Sequence, residues 1–576
     1  MIELQQLDRL PAEDFVAALV SIFEHSPWVA ARVAGRRPFA STIALHGALC
    51  EAVIEAGAEA QLALIRAHPE LAGRAALAGS LTSASLSEQA GAGLSACTAQ
   101  QLQRLQSLNA AYRSRFGFPF ILAVKGHTPD TVIAALAERV AHEENEERNV
   151  ALSEICRIAR FRLADLVQEP LGDAIMAMAE DLGALSEERG ALTCSYLTPT
   201  HRATAARIRD FMLAAGLAAH IDAVGNVVGV LDGDGRSPKR VLTGSHYDTV
   251  INGGKYDGRL GILLPIAVAG SMRRAGIKLP YTLEIVAFAE EEGVRFNSTF
   301  LGSGALAGCF DLHVLEATDP AGHTLRDALR AAGHDVAAIP ALARNPAEVS
   351  CFVEVHIEQG PVLLEAGEPL GVVSGIAGSI RTMVAVTGTP GHAGTVPMLL
   401  RRDAAAAAAE IVLAVERRCS KEPGLVGTVG KLEVPGGAVN VIPGRCELSI
   451  DIRSENDALR DAAYAAISAD VREIALRRGV TIEERKVLET PSVPCTRALQ
   501  DAWAASIGRL TGKAVRRLPS GAGHDAMMMA RLTRIGMLFV RCGNGGISHN
   551  PLETMSAQDA EIAARVFEDF LEHHAP

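Results

Sequence analysis

Apolar residues in the first 168 or so positions recur at three- and four-residue spacing. Phe15, Leu19, Ile22 and Phe23 follow Pro11, and Val132, Ile133, Leu136 and Val140 repeat the pattern, as do Leu152, Ile155 and Ile158. That period predicts amphipathic helices, with Pro11 in a first turn, and successive helices predict an all-α bundle. The charged run from His142 to Arg148 reads as a solvated helix face. After Gln168-Glu169-Pro170 the period changes. Val227 to Leu231, Val241 to Gly244 and Thr282 to Phe288 read as strands between amphipathic segments, the pattern of an α/β domain with a mixed or parallel sheet. From 382 to about 497, Cys446, Leu448, Ile450 and Ile452 alternate with Glu447, Ser449, Asp451 and Arg453, which predicts a half-buried strand in a smaller α+β insertion. The alanine run 404–409 is helix-forming, and the strand-like segment Gly536 to Cys542 is expected to return to the first sheet. The expected domains are thus 1–168, 169–381 with 498–576, and the inserted 382–497.

Composition narrows the function classes. A chain of 576 residues exceeds one core, and 48% hydrophobic with 21% charged residues is ordinary for globular protein. The formal net charge of -12 argues against a nucleic-acid partner and requires any anion-binding group to be placed locally. Ten dispersed cysteines without a CxxC pair point to reduced thiols, so a cytoplasmic location is expected. Met1 to Phe15 has no apolar core like that of a signal peptide. No apolar run reaches the roughly 18 residues of a membrane span.

The chemistry-bearing residues of the long second part are His246, Asp257, Glu291, Glu292, His356 and His549. Most follow strand-like runs, and α/β sheets gather functional side chains at the carboxyl ends of their strands. A neutral histidine is a good metal ligand when a carboxylate holds its other nitrogen, and Asp248 is placed to hold His246. The adjacent carboxylates of Glu290 to Glu292 repel one another, a cost that cations would offset. Singly, a histidine after a strand or an acidic loop is more often structural; as a set these residues predict a metal centre.

The strings GSHYDTV (244–250), GGKYDG (253–258), EEEGVRF (290–296), HIEQGP (356–361), GHAGTVPM (391–398), NVIPG (440–444), DIR (451–453), SGAGHDA (520–526) and GISHNP (546–551) carry a resemblance. Over about 171–576 the chain resembles the dinuclear-metal amidohydrolases that act on allantoate, ureidoglycolate and N-carbamoyl-L-amino acids. The resemblance implies an α/β metal-binding domain with an inserted dimerisation (lid) domain. It implies two divalent ions, manganese or zinc, one held by His246, Asp257 and His356 and the other by Asp257, Glu292 and His549. Glu291 would be the general base. Gln359, Asn440 and Arg453 would bind substrate, with Arg453 on its carboxylate. His392 would stabilise the oxyanion across the interface of a homodimer formed through the insertion. Cys194 stands where relatives often carry arginine.

The first part has its own signature: FEHSPW (23–28), RPF (37–39), HPEL (68–71), Ser85 with Glu88-Gln89, FGFPF (116–120) and Arg162-Leu163. Over 10 to about 166 these resemble 2-oxo-4-hydroxy-4-carboxy-5-ureidoimidazoline (OHCU) decarboxylase. The resemblance implies acid/base work by His68 with Glu88, and substrate positioning by Pro69, Ser85, Gln89 and Arg162. No cofactor motif is present in this part, and the substrate ring can itself accept the electrons left by CO2, so orientation, a proton donor and an anion clamp suffice.

Together the two resemblances imply a bifunctional enzyme of purine (urate) catabolism, which decarboxylates OHCU to (S)-allantoin and hydrolyses allantoate to ureidoglycine, ammonia and CO2. The reactions are not consecutive, because allantoin must first be opened, so an allantoinase is the implied functional partner. Two alternatives stay open. The metal residues equally serve an N-carbamoyl-L-amino-acid hydrolase or a ureidoglycolate amidohydrolase, and the first part could be a non-catalytic interaction module. A metallopeptidase fits Asn440, Gln359 and Arg453 less well than a small ureido acid does.

Overall fold

The computed structural model describes residues 1–71, 85, 88–90 and 92–576. The chain divides into two compact units, Met1–Pro369 with Val540–Pro576, and Leu370–Phe539.

The first unit opens with a helical region whose main elements are α1 (Thr42–Ile54), α2 (Gly57–Ala67), α3 (Ala99–Phe116), α4 (Pro129–Arg139) and α5 (Glu144–Leu166). Local sequence fixes their starts. Ser41 caps α1 through the Ala44 amide, Thr98 and Gln101 form a reciprocal capping box on α3, and Thr128 precedes Pro129 on α4. Phe15, Leu19, Ile22 and Phe23 all enter the core, although the helix that starts after Pro11 stops at Ala18 and the last three reach inward from turns.

The charged run His142 to Arg148 is only partly a solvated face. Glu143, Glu144 and Glu146 are exposed, but Glu147 is fully buried. Its carboxylate accepts from Arg139 (Nε 3.0 Å, Nη2 2.5 Å), from His142 Nδ1 at 2.7 Å and from the Tyr112 hydroxyl. Charge density alone could not distinguish the one glutamate that turns inward to neutralise a buried arginine.

No loose linker follows. Val167–Gln168 pairs in parallel with Ile2–Glu3, and α6 (Leu171–Gly183) begins three residues later. Leu213 and Ala214, on α7 (Pro199–Ala215), belong to the same apolar cluster as the helical region. Charges reinforce this seam: Arg157 grips Asp210 with two nitrogens at 3.0 and 2.8 Å, and Arg273 meets Asp165 at 2.6 Å.

Beyond the seam lie β1 (Ala218–Ile221), β2 (Val227–Leu231), β3 (Arg240–His246), β4 (Thr282–Phe288) and β5 (Val349–Ile357), in the order β5-β3-β4-β2-β1. β3 runs parallel to both β4 and β5, and β2 and β1 complete the sheet antiparallel. All nine residues of β5 are buried, as a strand covered on both faces requires. The crossover from β3 to β4 carries α8 (Leu260–Ala275).

The second unit contains β6 (Leu370–Ile376), β7 (Gly378–Thr387), β8 (Gly391–His392), β9 (Leu425–Thr428), β10 (Val441–Ile442), β11 (Arg445–Ser454) and β12 (Thr481–Thr490). Four of them form the path β9-β11-β7-β12 of a five-stranded sheet, whose fifth strand, Leu432–Glu433, also pairs with β11. In β11, Cys446, Leu448, Ile450 and Ile452 are buried in strict alternation. They pack on α9 (Ala404–Cys419), where Ala404, Ala407 and Ala408 of the alanine run lie in the core. Among the described residues no helix is long and apolar enough to cross a membrane.

Removing one partner of a buried ion pair leaves a charge unpaired and costs about 3–5 kcal/mol. Glu147→Ala should therefore lower the stability of the helical region by about that amount in urea unfolding, while Glu143→Ala should change it by less than about 0.5 kcal/mol.

Candidate active sites

The metal-type residues predicted from sequence converge in the first unit. His246 ends β3, Glu291 and Glu292 follow β4, His356 lies near the end of β5, and Asp257 sits just before α8. Asp257 is the centre of the cluster. Its Oδ1 is 3.4 Å from His356 Nε2 and 3.8 Å from His246 Nε2, and its Oδ2 is 3.1 Å from His549 Nε2. His549 is in turn 3.6 Å from Glu292. Two sets of potential ligands therefore share one carboxylate: His246, Asp257 and His356, and Asp257, Glu292 and His549. His246, Glu291 and Glu292 form a third close group.

Neighbouring groups hold these side chains in place. His246 Nδ1 is 3.1 Å from the Asp248 carbonyl and 3.5 Å from its carboxylate, whose oxygens also accept the Glu291 and Glu292 amides at 3.0–3.2 Å. Glu553, which the motif reading did not single out, is buried and accepts the amides of Tyr256 and Asp257 at 2.8 and 3.1 Å. Its other oxygen takes the Ser548 hydroxyl at 2.8 Å, so one carboxylate ties the Asp257 turn to the His549 loop. Gly258 has φ +65°, and a Cβ there would lie 2.5 Å from the His246 ring, so the position requires glycine. Gln359, Glu290 and His549 all have positive φ without being glycine. Gln359 donates to Asp257 at 3.0 Å.

The charges explain what such a site is for. His246, His356 and His549 surround Asp257, no lysine or arginine pairs with it among the described residues, and Glu292 lies 3.6 Å from His549. Burial, with repulsion from Asp257 and Asp248, pushes the Glu292 carboxyl up to about 7. Asp257 is held low, burial being outweighed by its three histidines, while the pairing with Asp257 lifts His549 to about 9. A nest of carboxylates and imidazoles with no lysine or arginine paired to Asp257 among the described residues suits divalent ions, and the mixed N/O donor set fits such ions.

Gln359 belongs to this centre, whereas His392, Asn440 and Arg453 lie in the second unit. There His392 and Asn440 share the β8–β10 ribbon, with the Ala393 amide donating to the Asn440 carbonyl at 2.9 Å, and both residues are exposed. Arg453 pairs with Asp451 at 3.1 and 2.8 Å and donates to the Gly521 carbonyl at 2.7 Å. Cys194 is fully buried beside Thr204, 3.7 Å from its hydroxyl, and burial pushes the thiol up to about 11.

A second pocket lies in the helical region, lined by His68, Pro69, Ser85, Glu88, Gln89, Phe120 and Arg162 among others. His68 caps the C-terminus of α2 and is buried. Its Nδ1 is 2.9 Å from the Leu64 carbonyl, and its Nε2 is buried with no hydrogen-bond partner among the described residues. Burial lowers its pKa to about 4, so at neutral pH the ring is uncharged, donates from Nδ1 and presents a lone pair at Nε2. Arg162 holds Glu88 bidentately at 2.8 and 3.0 Å and reaches Glu24 at 3.1 Å and Ser85 at 3.2 Å. Glu88 thus faces Arg162. Glu24, quoted in a motif but given no role, is a buried member of the same network and accepts from Ser85.

Two tests follow from this geometry. Asp248→Asn should weaken divalent-ion binding about 10–100-fold, measured by calorimetry on chelator-stripped protein, because the partners that orient metal ligands are worth that much. His68 should titrate near 4 in ring-nitrogen NMR, and any proton transfer that uses its neutral Nε2 should fall as pH drops through that value. A pKa near 6.5 would mean that the pocket is open to water.

Comparison with known proteins gives the same two-part picture. The family model for OHCU decarboxylase matches residues 8–164, and that for peptidase family M20/M25/M40 matches 216–573. Allantoate deiminase of Arabidopsis thaliana is 40% identical over 71% of this chain and 83% of its own length. N-carbamoyl-L-amino acid amidohydrolase of Geobacillus stearothermophilus is 38% identical over 69% of this chain and 96% of its own. The crystal structure of a hydantoinase/carbamoylase family amidase from Burkholderia multivorans superposes with a TM-score of 0.65 at 31% identity, covering 69% of this chain and 97% of that one. With its dinuclear donor set and mixed sheet, the chain belongs to peptidase family M20/M25/M40, and an OHCU decarboxylase domain precedes that part.

Proposed function

We propose that the chain is a bifunctional enzyme of purine catabolism, decarboxylating OHCU to (S)-allantoin and hydrolysing allantoate to ureidoglycine, ammonia and CO2. The observation that carries this reading is the coexistence in one unit of the Asp257-centred ligand set and the His68 pocket, each in a part that resembles one of the two enzymes. The choice of allantoate is supported by the decarboxylase-type domain in the same chain and by the allantoate-cleaving relatives.

In the hydrolytic part, His246, Asp257 and His356 would hold one divalent ion and Asp257, Glu292 and His549 the other. The bound ions, manganese or zinc, would supply Lewis acidity to the ureido carbonyl and to the attacking water. Glu291, anchored through its amide on Asp248, takes the proton from water and passes it to the leaving nitrogen. Arg453 exchanges Asp451 for the substrate carboxylate, with Asn440 and Gln359 binding polar atoms of the substrate. His392, on an exposed ribbon, stabilises the oxyanion of a neighbouring subunit in a homodimer formed through the 382–497 insertion. In the other part, neutral His68 moves a proton at Nε2, while Ser85, Gln89 and Arg162 orient the substrate so that the electron pair left by CO2 enters its ring. Domains 1–168, 169–381 with 498–576, and 382–497 are the functional divisions of this reading. Ten cysteines, none of them in a disulfide, fit a reducing cytoplasm, where an allantoinase would connect the two reactions.

The test is ammonia release by manganese-loaded protein from allantoate, N-carbamoyl-L-amino acids and ureidoglycolate. Allantoate should turn over fastest. Glu291→Gln should lower kcat about 10²–10⁴-fold with bound metal retained, and His68→Ala should abolish decarboxylation while sparing ammonia release. Preference for a carbamoyl amino acid would select the second reading, which the Geobacillus relative supports.

A further inference from the structure

Neither reaction uses a cavity of about 130 Å³ at the seam between the helical and α/β parts of the first unit. Its walls come from α1, α5, α6, α7 and α8 and are mainly apolar, with Leu163, Met178, Phe211 and Ile266 among them. An apolar cavity of roughly 150 Å³ admits a benzene ring, so the space is ring-sized.

The polar side chains on its wall include two arginines and one acid. Arg160 makes no hydrogen bond among the described residues. Its one ion pair, with Asp181 at 3.6 Å, is to an oxygen that Arg207 already holds. The Arg160 guanidinium lies 5.5 Å from the Phe211 ring centroid. Arg274 is half-buried and has neither a hydrogen bond nor an ion pair among the described residues. Burial disfavours the charge on both. Glu169, the acid on the same wall, gives its two oxygens to the amide and hydroxyl of Thr42. His46 is neutral, since burial lowers it to about 4, and its Nε2 lies 2.7 Å from the Cys156 carbonyl. Arg160 and Arg274 therefore both line an apolar space. Their countercharges, Asp181 and Asp210 for the first and Asp165 and Glu169 for the second, include no close hydrogen-bonded carboxylate among the described residues. An anion with a hydrophobic body would complete this arrangement.

We propose that this cavity is a binding site for a small carboxylate with a ring-sized apolar body. Its position gives it reach. α5 carries Arg160 on the cavity wall and Arg162 in the decarboxylase pocket two residues later. α8 starts three residues after Asp257 and brings Ile266 and Arg274 to the cavity. A ligand seated there braces the helices that lead to both sites.

The experiment is calorimetric titration of the full chain with benzoate, with benzamide as the uncharged control. One benzoate per chain should bind with a Kd of about 1 mM or tighter, and benzamide should bind at least about tenfold more weakly, as loss of a charge-assisted hydrogen bond predicts. Arg160→Gln and Arg274→Gln should each weaken benzoate about tenfold, and Ala267→Leu, which fills the cavity from α8, should abolish binding. Arg162→Gln and Arg453→Gln should leave it unchanged. The proposal is overturned by absence of saturable binding, by equal binding of benzamide, or by binding that survives Ala267→Leu but is lost with Arg162 or Arg453. That last outcome would place benzoate in a catalytic pocket.

Discussion

Buried negative charge around Asp257 is the constraint on which the α/β part depends. One carboxylate lies within 3.1–3.8 Å of three imidazoles, with Glu292 beside it and no lysine or arginine paired to it among the described residues. Such crowding is costly in a low-dielectric interior, and the surrounding structure is arranged to maintain it. Glu553 spends a buried carboxylate on the Asp257 turn, Asp248 spends another on the Glu291–Glu292 backbone, and glycine at 258 lets the turn close against His246. Three non-glycine residues at the centre have positive φ, a backbone state that costs of order 1–3 kcal/mol each. Strain and repulsion concentrated in one place mark a site selected for binding cations rather than for stability.

The decarboxylase pocket uses the opposite electrostatic logic. Its key imidazole is kept neutral by burial, and its arginine is already neutralised by Glu24 and Glu88. Under the proposed function a substrate carboxylate would have to compete with those two acids for Arg162, which already holds both of them. This is a pocket that holds its polar groups still, which a reaction driven by the substrate's own electron sink requires.

Much of this was legible in the sequence because it was written in period and motif. Thr282–Phe288 and Val227–Leu231 are strands over the very residues whose pattern predicted them, and the alternation in β11 survives residue by residue. The metal-type residues were readable because their chemistry is unusual in combination. What stayed hidden was pairing at long range. Nothing in the string His142 to Arg148 shows that Glu147 alone points inward, since that depends on Arg139 and Tyr112 arriving from other helices. Glu553 and Glu24 were equally silent: each is an ordinary glutamate until the fold sets it against amides or an arginine.

The join between the two parts has a consequence for how such a chain can change over time. Only a few residues separate α5 from α6, and the seam beside them is packed by Leu213 and Ala214 and pinned by Arg157 on Asp210. In a fusion built on a slack tether, insertions and deletions in the connector drift freely because they move nothing. Here a single added residue would shift one half against an apolar and ionic surface already fitted to the other. The connector's length is therefore as constrained as a core position, and the two halves are bound to evolve as one body.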